Sequence, residues 1–154
     1  MALAVGSLAP DFTLPSTSGS DFSLYKNFKG KIGIIYFYPK DFSAGCTMEA
    51  CSFRDAFDVL EGLDAEIIGI STDDIPTHLR FREAYNLPFH LLSDTDKIAA
   101  KKFDVLAPII GFVQRVTFLV DENMKIAAVY QNLFDARGHI DSMIKELRRK
   151  SIQV

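Results

Sequence analysis

Cysteine is scarce in this 154-residue chain, which carries only Cys46 and Cys51. Two thiols are too few for the disulfide framework of a small secreted domain. In a reducing compartment a close pair is more often redox-active or metal-binding than structural. The C-x4-C spacing is not the C-x-x-C of a dithiol reductase. Zinc needs four ligands, often as two close pairs, and His78, His90 and His139 are scattered and unpaired in the sequence. The expectation is no metal and no other cofactor. An excess of one charge is also missing: 17 basic and 20 acidic residues leave a net charge of -3, so neither nucleic acid nor an anionic membrane is an expected partner. No apolar run approaches the roughly 20 residues that cross a bilayer. The start, MALAVGSLAPDF, has neither the basic head nor the apolar core of a signal peptide. A cytoplasmic location is expected. Repeats, low-complexity runs and linker-like shifts in composition are absent as well, so residues 1–154 read as one domain, and 48% apolar residues suffice for its core.

What is present is an alternation of buried-strand and amphipathic-helix patterns. Residues 9–24 combine short apolar pieces with Pro10, Pro15 and a serine-rich turn, which suggests a hairpin or an extended arm. Residues 32–38 (IGIIYFY) are almost wholly apolar, as in a central strand covered on both faces, and Pro39 stops them. From 44 to 63 the residues Phe53, Ala56, Phe57 and Leu60 recur at helical spacing, and 66–71 (EIIGIS) is a second buried strand. Strand, helix, strand predicts a right-handed βαβ unit with a parallel pair. Helices are predicted at 76–85 and 96–103 with a short strand near 89–92. Residues 115–121 and 125–130 form an antiparallel hairpin pattern, and a last helix follows at 138–149, where Ile140, Met143, Ile144 and Leu147 share one face. A parallel βαβ followed by ββα is the thioredoxin-like layout: an α/β fold with a central mixed sheet, flanking helices and an N-terminal hairpin extension.

The chemistry concentrates at residues 39–51 (PKDFSAGCTMEAC), which run from the end of a buried strand into a helix. Sites in open α/β sheets form at the carboxyl ends of strands. A thiol in the first helical turn faces backbone N–H groups and the positive end of the helix dipole, and both favour the nucleophilic thiolate. A cysteine taken at random is better read as a small buried hydrophobe. The strand-to-helix placement of Cys46, with the Ser43 hydroxyl nearby, shifts the balance toward a nucleophile. Ser43 also suits a helix N-cap. Arg115, at the start of an apolar strand, is a permanent cation able to stabilise a thiolate. A solvated strand-end charge, or a structural pair with Asp121 or Glu49, fits it equally well. Glu49 reads as a charge favouring the helix N-terminus, Tyr36, Phe37 and Tyr38 as core, and His78 and His90 lack a sequence-visible acid-base partner.

Pro39, Ser43 and Cys46 closely resemble the peroxiredoxin active-site loop, P-x-x-x-[T/S]-x-x-C. The longer run FYPKD…GCTMEACSFRD is similar to the bacterioferritin-comigratory-protein branch of that family. Similarity extends through Ala9-Pro10-Asp11-Phe12, through residues 87–94 (LPFHLLSD) and through residues 115–121. The resemblance implies a thioredoxin-like fold and peroxide reduction without metal or haem. It implies Cys46 as the peroxidatic thiol, Cys51 as the resolving thiol, Arg115 as the catalytic arginine, and Ser43 in a place usually held by threonine. Ala44 departs from a common proline and Phe42 from a small or polar residue, which leaves the chemistry in place but loosens the expected first helical turn.

The expected function is thiol-dependent reduction of hydrogen peroxide and organic hydroperoxides through a Cys46 sulfenic acid and a Cys46–Cys51 disulfide. The expected partners are a hydroperoxide substrate and a thioredoxin-like dithiol protein, with the enzyme a monomer or weak homodimer. The alternatives are a thioredoxin-like redox sensor or binding module without efficient turnover, and a disulfide reductase on the same fold.

Overall fold

The computed structural model describes residues 2–133 and 135–152. Its first strands, β1 (Thr13–Leu14) and β2 (Phe22–Ser23), form the expected N-terminal hairpin and lead into a one-turn helix, α1 (Leu24–Asn27). Then come β3 (Ile32–Phe37), α2 (Ala44–Asp55), α3 (Phe57–Gly62), β4 (Ala65–Ser71), α4 (Ile75–Ala84), β5 (His90–Ser93) and α5 (Ile98–Lys102). Strands β6 (Val116–Val120) and β7 (Ile126–Gln131) and helix α6 (Ala136–Ile152) close the chain.

The five longer strands order as β5-β4-β3-β6-β7, with β3 parallel to β4, β4 parallel to β5, and β6 antiparallel to both neighbours. Side chains alternate across a strand, and β3 shows the consequence. Ile34 and Tyr36 enter one apolar cluster with Ala50, Phe53, Phe81, Ile140, Met143 and Leu147. Ile35 and Phe37 enter another with Phe12, Leu24, Phe28, Ala99 and Phe103. Helices α2, α4 and α6 therefore cover one face, while the N-terminal arm, α1 and α5 cover the other. Because both faces are covered, β3 has to be apolar at every position, which is why its sequence shows no polar alternation.

Three differences from the sequence reading have local explanations or none. The helix expected at 44–63 is two helices, separated at Ala56 (φ -91, ψ 1), although Phe53 and Leu60 are still fully buried on the intended face. Neither Gly nor Pro marks that interruption. Helix α6 begins two residues before the expected Gly138, because the Asp135 carboxylate accepts the Gly138 N–H at 3.0 Å and so caps the first turn. Helix α1 was not foreseen: four residues are too few to show a period. No helix among the described residues is long and apolar enough to cross a membrane.

Candidate active site

Strand β3 delivers the chain to Pro39, and the loop 39–43 turns it into α2. Asp41 is buried, and its carboxylate ties the loop down by accepting the Tyr38 hydroxyl at 2.6 Å and hydrogen-bonding with His78 Nδ1 at 2.6 Å. The Asp41 backbone N–H is held by the Asp73 carboxylate at 2.8 Å. Phe42 takes a left-handed conformation (φ 64) that a non-glycine residue adopts at a cost, and its ring is seated edge-on against Phe81 of α4, 5.0 Å between centroids. The loop is thus anchored on both sides of its strained residue. Ser43 stands at the N-cap position in extended conformation but makes no side-chain cap bond; its hydroxyl donates instead to the Lys40 carbonyl at 2.9 Å. The N-cap reading of its side chain is not what the structure shows.

Cys46, in the first turn of α2, is 1% exposed, and the Arg115 guanidinium donates to its Sγ from Nη2 at 3.3 Å. Nη1 of the same guanidinium donates to Glu49 Oε1 at 2.7 Å, and Nε to the Leu133 carbonyl at 3.0 Å. Arg115 is therefore neither a solvated strand-end charge nor only a structural pair: one buried cation is shared between thiol and carboxylate. Burial works against its charge, yet Glu49 and Cys46 together hold its pKa above the ordinary value. Burial raises the Glu49 carboxyl to about 7 against the pull of Arg115. Glu49 is thus no helix-terminal surface charge but part of the interior.

Gly45 makes this approach possible. A Cβ there would lie 2.9 Å from Arg115 Nη2, so any side chain would push the guanidinium off the thiol. Sequence reading passed over Gly45, and its neighbours Gly-Cys at a helix start were the available signal. His139, on α6, was also missed. It is completely buried, its Nδ1 lies 2.7 Å from the Thr117 hydroxyl and 3.5 Å from Glu49 Oε2, and its Nε2 donates to the Asn132 carbonyl at 2.8 Å.

The structure brings Ser43, Cys46 and Arg115 to the carboxyl end of β3 but does not bring Cys51 to Cys46. Both thiols are free, Cys51 half-buried, on one unbroken helix. Five helical residues separate them by about 7.5 Å of rise and about 140° of rotation, which a disulfide cannot span. Asp41, Asp73 and His78 lie close enough to share a cation, but both His78 nitrogens and both Asp41 oxygens are already engaged within the cluster or with the Leu92 carbonyl.

The arrangement suits one reaction, attack by a buried, cation-paired sulfur on a small electrophile. Comparison with known proteins agrees. Residues 5–129 match the AhpC/TSA family. The chain is 40% identical over 153 residues to the putative peroxiredoxin bcp of Coxiella burnetii, covering 96% of this chain and 100% of that one. It is 42% identical over 144 residues to the chloroplastic peroxiredoxin Q of Suaeda salsa, covering 93% of this chain and 67% of that longer protein. In structure it superposes on peroxidoxin BcpB of Mycobacterium tuberculosis with a TM-score of 0.88 at 32% identity, covering 94% and 96% of the two chains. With the Xanthomonas campestris bacterioferritin comigratory protein, studied for alkyl peroxide reduction, the TM-score is 0.84 at 26% identity, with 98% and 99% covered.

Proposed function

From the premise that the chain belongs to the AhpC/TSA family and is a peroxiredoxin-type thiol peroxidase, we propose that Cys46 is its attacking thiolate, Cys51 its resolving thiol and Arg115 its catalytic cation. The observation that carries the assignment is the 3.3 Å contact between Arg115 Nη2 and Cys46 Sγ inside a site from which water is largely excluded. In such surroundings a fixed cation stabilises both the thiolate and the charge that develops as the O–O bond breaks. The Ser43 hydroxyl spends its proton on the Lys40 carbonyl, which leaves its oxygen to accept from the hydroperoxide O–H. Pro39 fixes the backbone where β3 hands over to the loop.

Cys46 thiolate attacks ROOH, the S–O bond forms as the O–O bond breaks, and the departing alkoxide takes a proton to give ROH. The Cys51 thiol then condenses with the sulfenic acid, releasing water and leaving a disulfide, which a thioredoxin-like dithiol protein reduces by exchange. Hydrogen peroxide and organic hydroperoxides are both within this chemistry. Because both thiols lie on one helix, a monomer or weak homodimer suffices, and a reducing, cytoplasmic setting supplies the dithiol partner. The test is peroxide consumption with a thioredoxin-type recycling system, run on the parent and on Cys46→Ser. Turnover by the parent and none by the variant is expected, since a serine hydroxyl has no accessible anion near neutral pH. Equal turnover by the variant sinks the assignment.

A further inference from the structure

Glu49 Oε2 is buried and has no hydrogen-bond donor among the described residues, although its twin Oε1 is firmly held by Arg115. A bare carboxylate oxygen in such a place is costly, whereas a protonated one needs only an acceptor. His139 stands beside it. The Asn132 carbonyl can only accept, so His139 Nε2 carries a hydrogen, and in the neutral imidazole Nδ1 is a lone pair. That lone pair accepts the Thr117 hydroxyl at 2.7 Å and lies 3.5 Å from Glu49 Oε2, so a proton on Oε2 faces Nδ1 as an acceptor for which it competes with Thr117.

We propose that Glu49 and His139 act as a buried proton-holding pair, positioning residues that release their proton as the Cys46 thiolate is consumed, so that the Glu49 carboxylate replaces the thiolate as counter-ion of Arg115. The idea rests on the thiol peroxidase reading above. In the reduced enzyme two anions would compete for one guanidinium, which lies within hydrogen-bonding distance of both Sγ and Oε1. Keeping the pair protonated gives the thiolate the whole cation. Attack on ROOH turns that thiolate into a neutral sulfenic acid and produces an alkoxide that needs a proton. The balanced step is Cys46–S⁻ + ROOH + Glu49–COOH → Cys46–SOH + ROH + Glu49–COO⁻. Sulfur is oxidised, the peroxide is reduced, and the proton lost by the pair equals the proton taken up by the alkoxide through solvent. The buried charge at the site is unchanged across the step, which matters where water screens little.

Both shifts agree on where the proton rests. Burial raises the Glu49 carboxyl to about 7 and lowers the His139 imidazole to about 4. The other charged or titratable groups facing the pair are Arg115, Cys46 and the buried Tyr36 hydroxyl on the Glu49 side, and Asp135 and Tyr130 on the His139 side.

Infrared difference spectroscopy tests this directly, at slightly acidic pH and in a Cys51→Ser background that holds oxidation at the sulfenic acid. The reduced protein should show the C=O stretch of a protonated carboxyl, and stoichiometric peroxide should remove it in step with sulfenic acid trapped by a dimedone-type nucleophile. Glu49→Gln keeps the acceptor for Arg115 and should lack the band in both states. In His139→Leu the reduced-state band should move to the higher frequency of a carboxyl without an acceptor. A band that survives full oxidation of Cys46, or a loss that persists in Glu49→Gln, overturns the proposal, and an unmoved band in His139→Leu overturns the part of His139. If peroxide leaves Cys46 unoxidised, the peroxidase reading itself fails instead.

Discussion

His78 and His139 are both completely shielded from solvent, both have a carboxylate beside Nδ1, and both direct Nε2 at a backbone carbonyl. Around His78 every contact closes: Asp41 Oδ2 is 2.6 Å away, Asp41 Oδ1 accepts the Tyr38 hydroxyl, and Nε2 reaches the Leu92 carbonyl at 3.0 Å. Around His139 the nearest carboxylate oxygen is 3.5 Å away and has no donor of its own among the described residues. A fully satisfied buried network has one good arrangement and so fixes structure, whereas a network one proton short of satisfaction can hold more than one charge state. The first cluster braces the loop before Cys46. The second adjoins the cation that serves Cys46.

The largest effects should separate the two clusters by kind. His78→Ala strips Asp41 Oδ2 of its partner at a buried position, and a loss of roughly 3–5 kcal/mol is expected. Urea unfolding measures it, and a loss under about 1 kcal/mol would show that the loop does not depend on this brace. Arg115→Ala should act mainly on rate. Loss of one preorganised donor to a developing charge costs about 10²–10³-fold in comparable sites, and stopped-flow reaction with peroxide reads it. Its effect on stability should be the smaller of the two, because Glu49, already raised to about 7, can meet the loss by staying protonated. If the rate is unchanged, the guanidinium is only a structural charge.

Oxidation should break the comparison in a third way. Glu49 lies between Cys46 and Cys51 on α2, so a disulfide that unwinds the helix must also carry Glu49 away from Arg115. The His78 cluster has no member on α2. Amide exchange should therefore show residues 44–51 losing protection in the oxidised state, while β4 and α4, which carry Ser71 and His78, keep theirs. Equal protection of α2 in both states, with the disulfide confirmed by mass spectrometry, rules out unwinding. A disulfide linking two chains would remove Cys51 from its assigned role.

Local pattern accounts for what could be read beforehand. The order of strands and the helix faces follow from runs such as IGIIYFY and from the 3.6-residue spacing in α6, because burial imposes those periods on the chain itself. The loop with Pro39, Ser43 and Cys46 was legible because its chemistry depends on near neighbours. Glu49 and His139 were not. One reads as a helix-terminal acid and the other as a stray imidazole, and only the packing of α2 against α6 puts them together. Nor does anything adjacent to His78 announce Asp41, which reaches it by way of the β3 loop. Gly45 was legible only in principle, since the guanidinium that requires its missing side chain comes from the start of β6, far along the chain.

The smallest expected effect is the most discriminating, because in the parent protein it nearly cancels. Glu49, raised from an ordinary 4.5 to about 7, binds more protons folded than unfolded between those values, so its contribution to stability falls as pH rises through that window. His139, lowered from 6.5 to about 4, binds fewer protons folded than unfolded, so its contribution rises with pH between 4 and 6.5. The two slopes oppose each other over most of the same range, and each has burial as its first cause rather than the other group. Single substitutions should uncover them. Relative to the parent, Glu49→Gln should gain stability as pH rises from 4.5 to 7, and His139→Gln should lose it as pH rises from 4 to 6.5, each with a slope of up to about 1.4 kcal/mol per pH unit. Taking each variant as a difference from the parent removes the titration of every group they share. Urea midpoints across this pH series supply the measurement. Two flat difference curves would mean that neither group changes its proton affinity on folding, and His139 would then be as purely structural as His78.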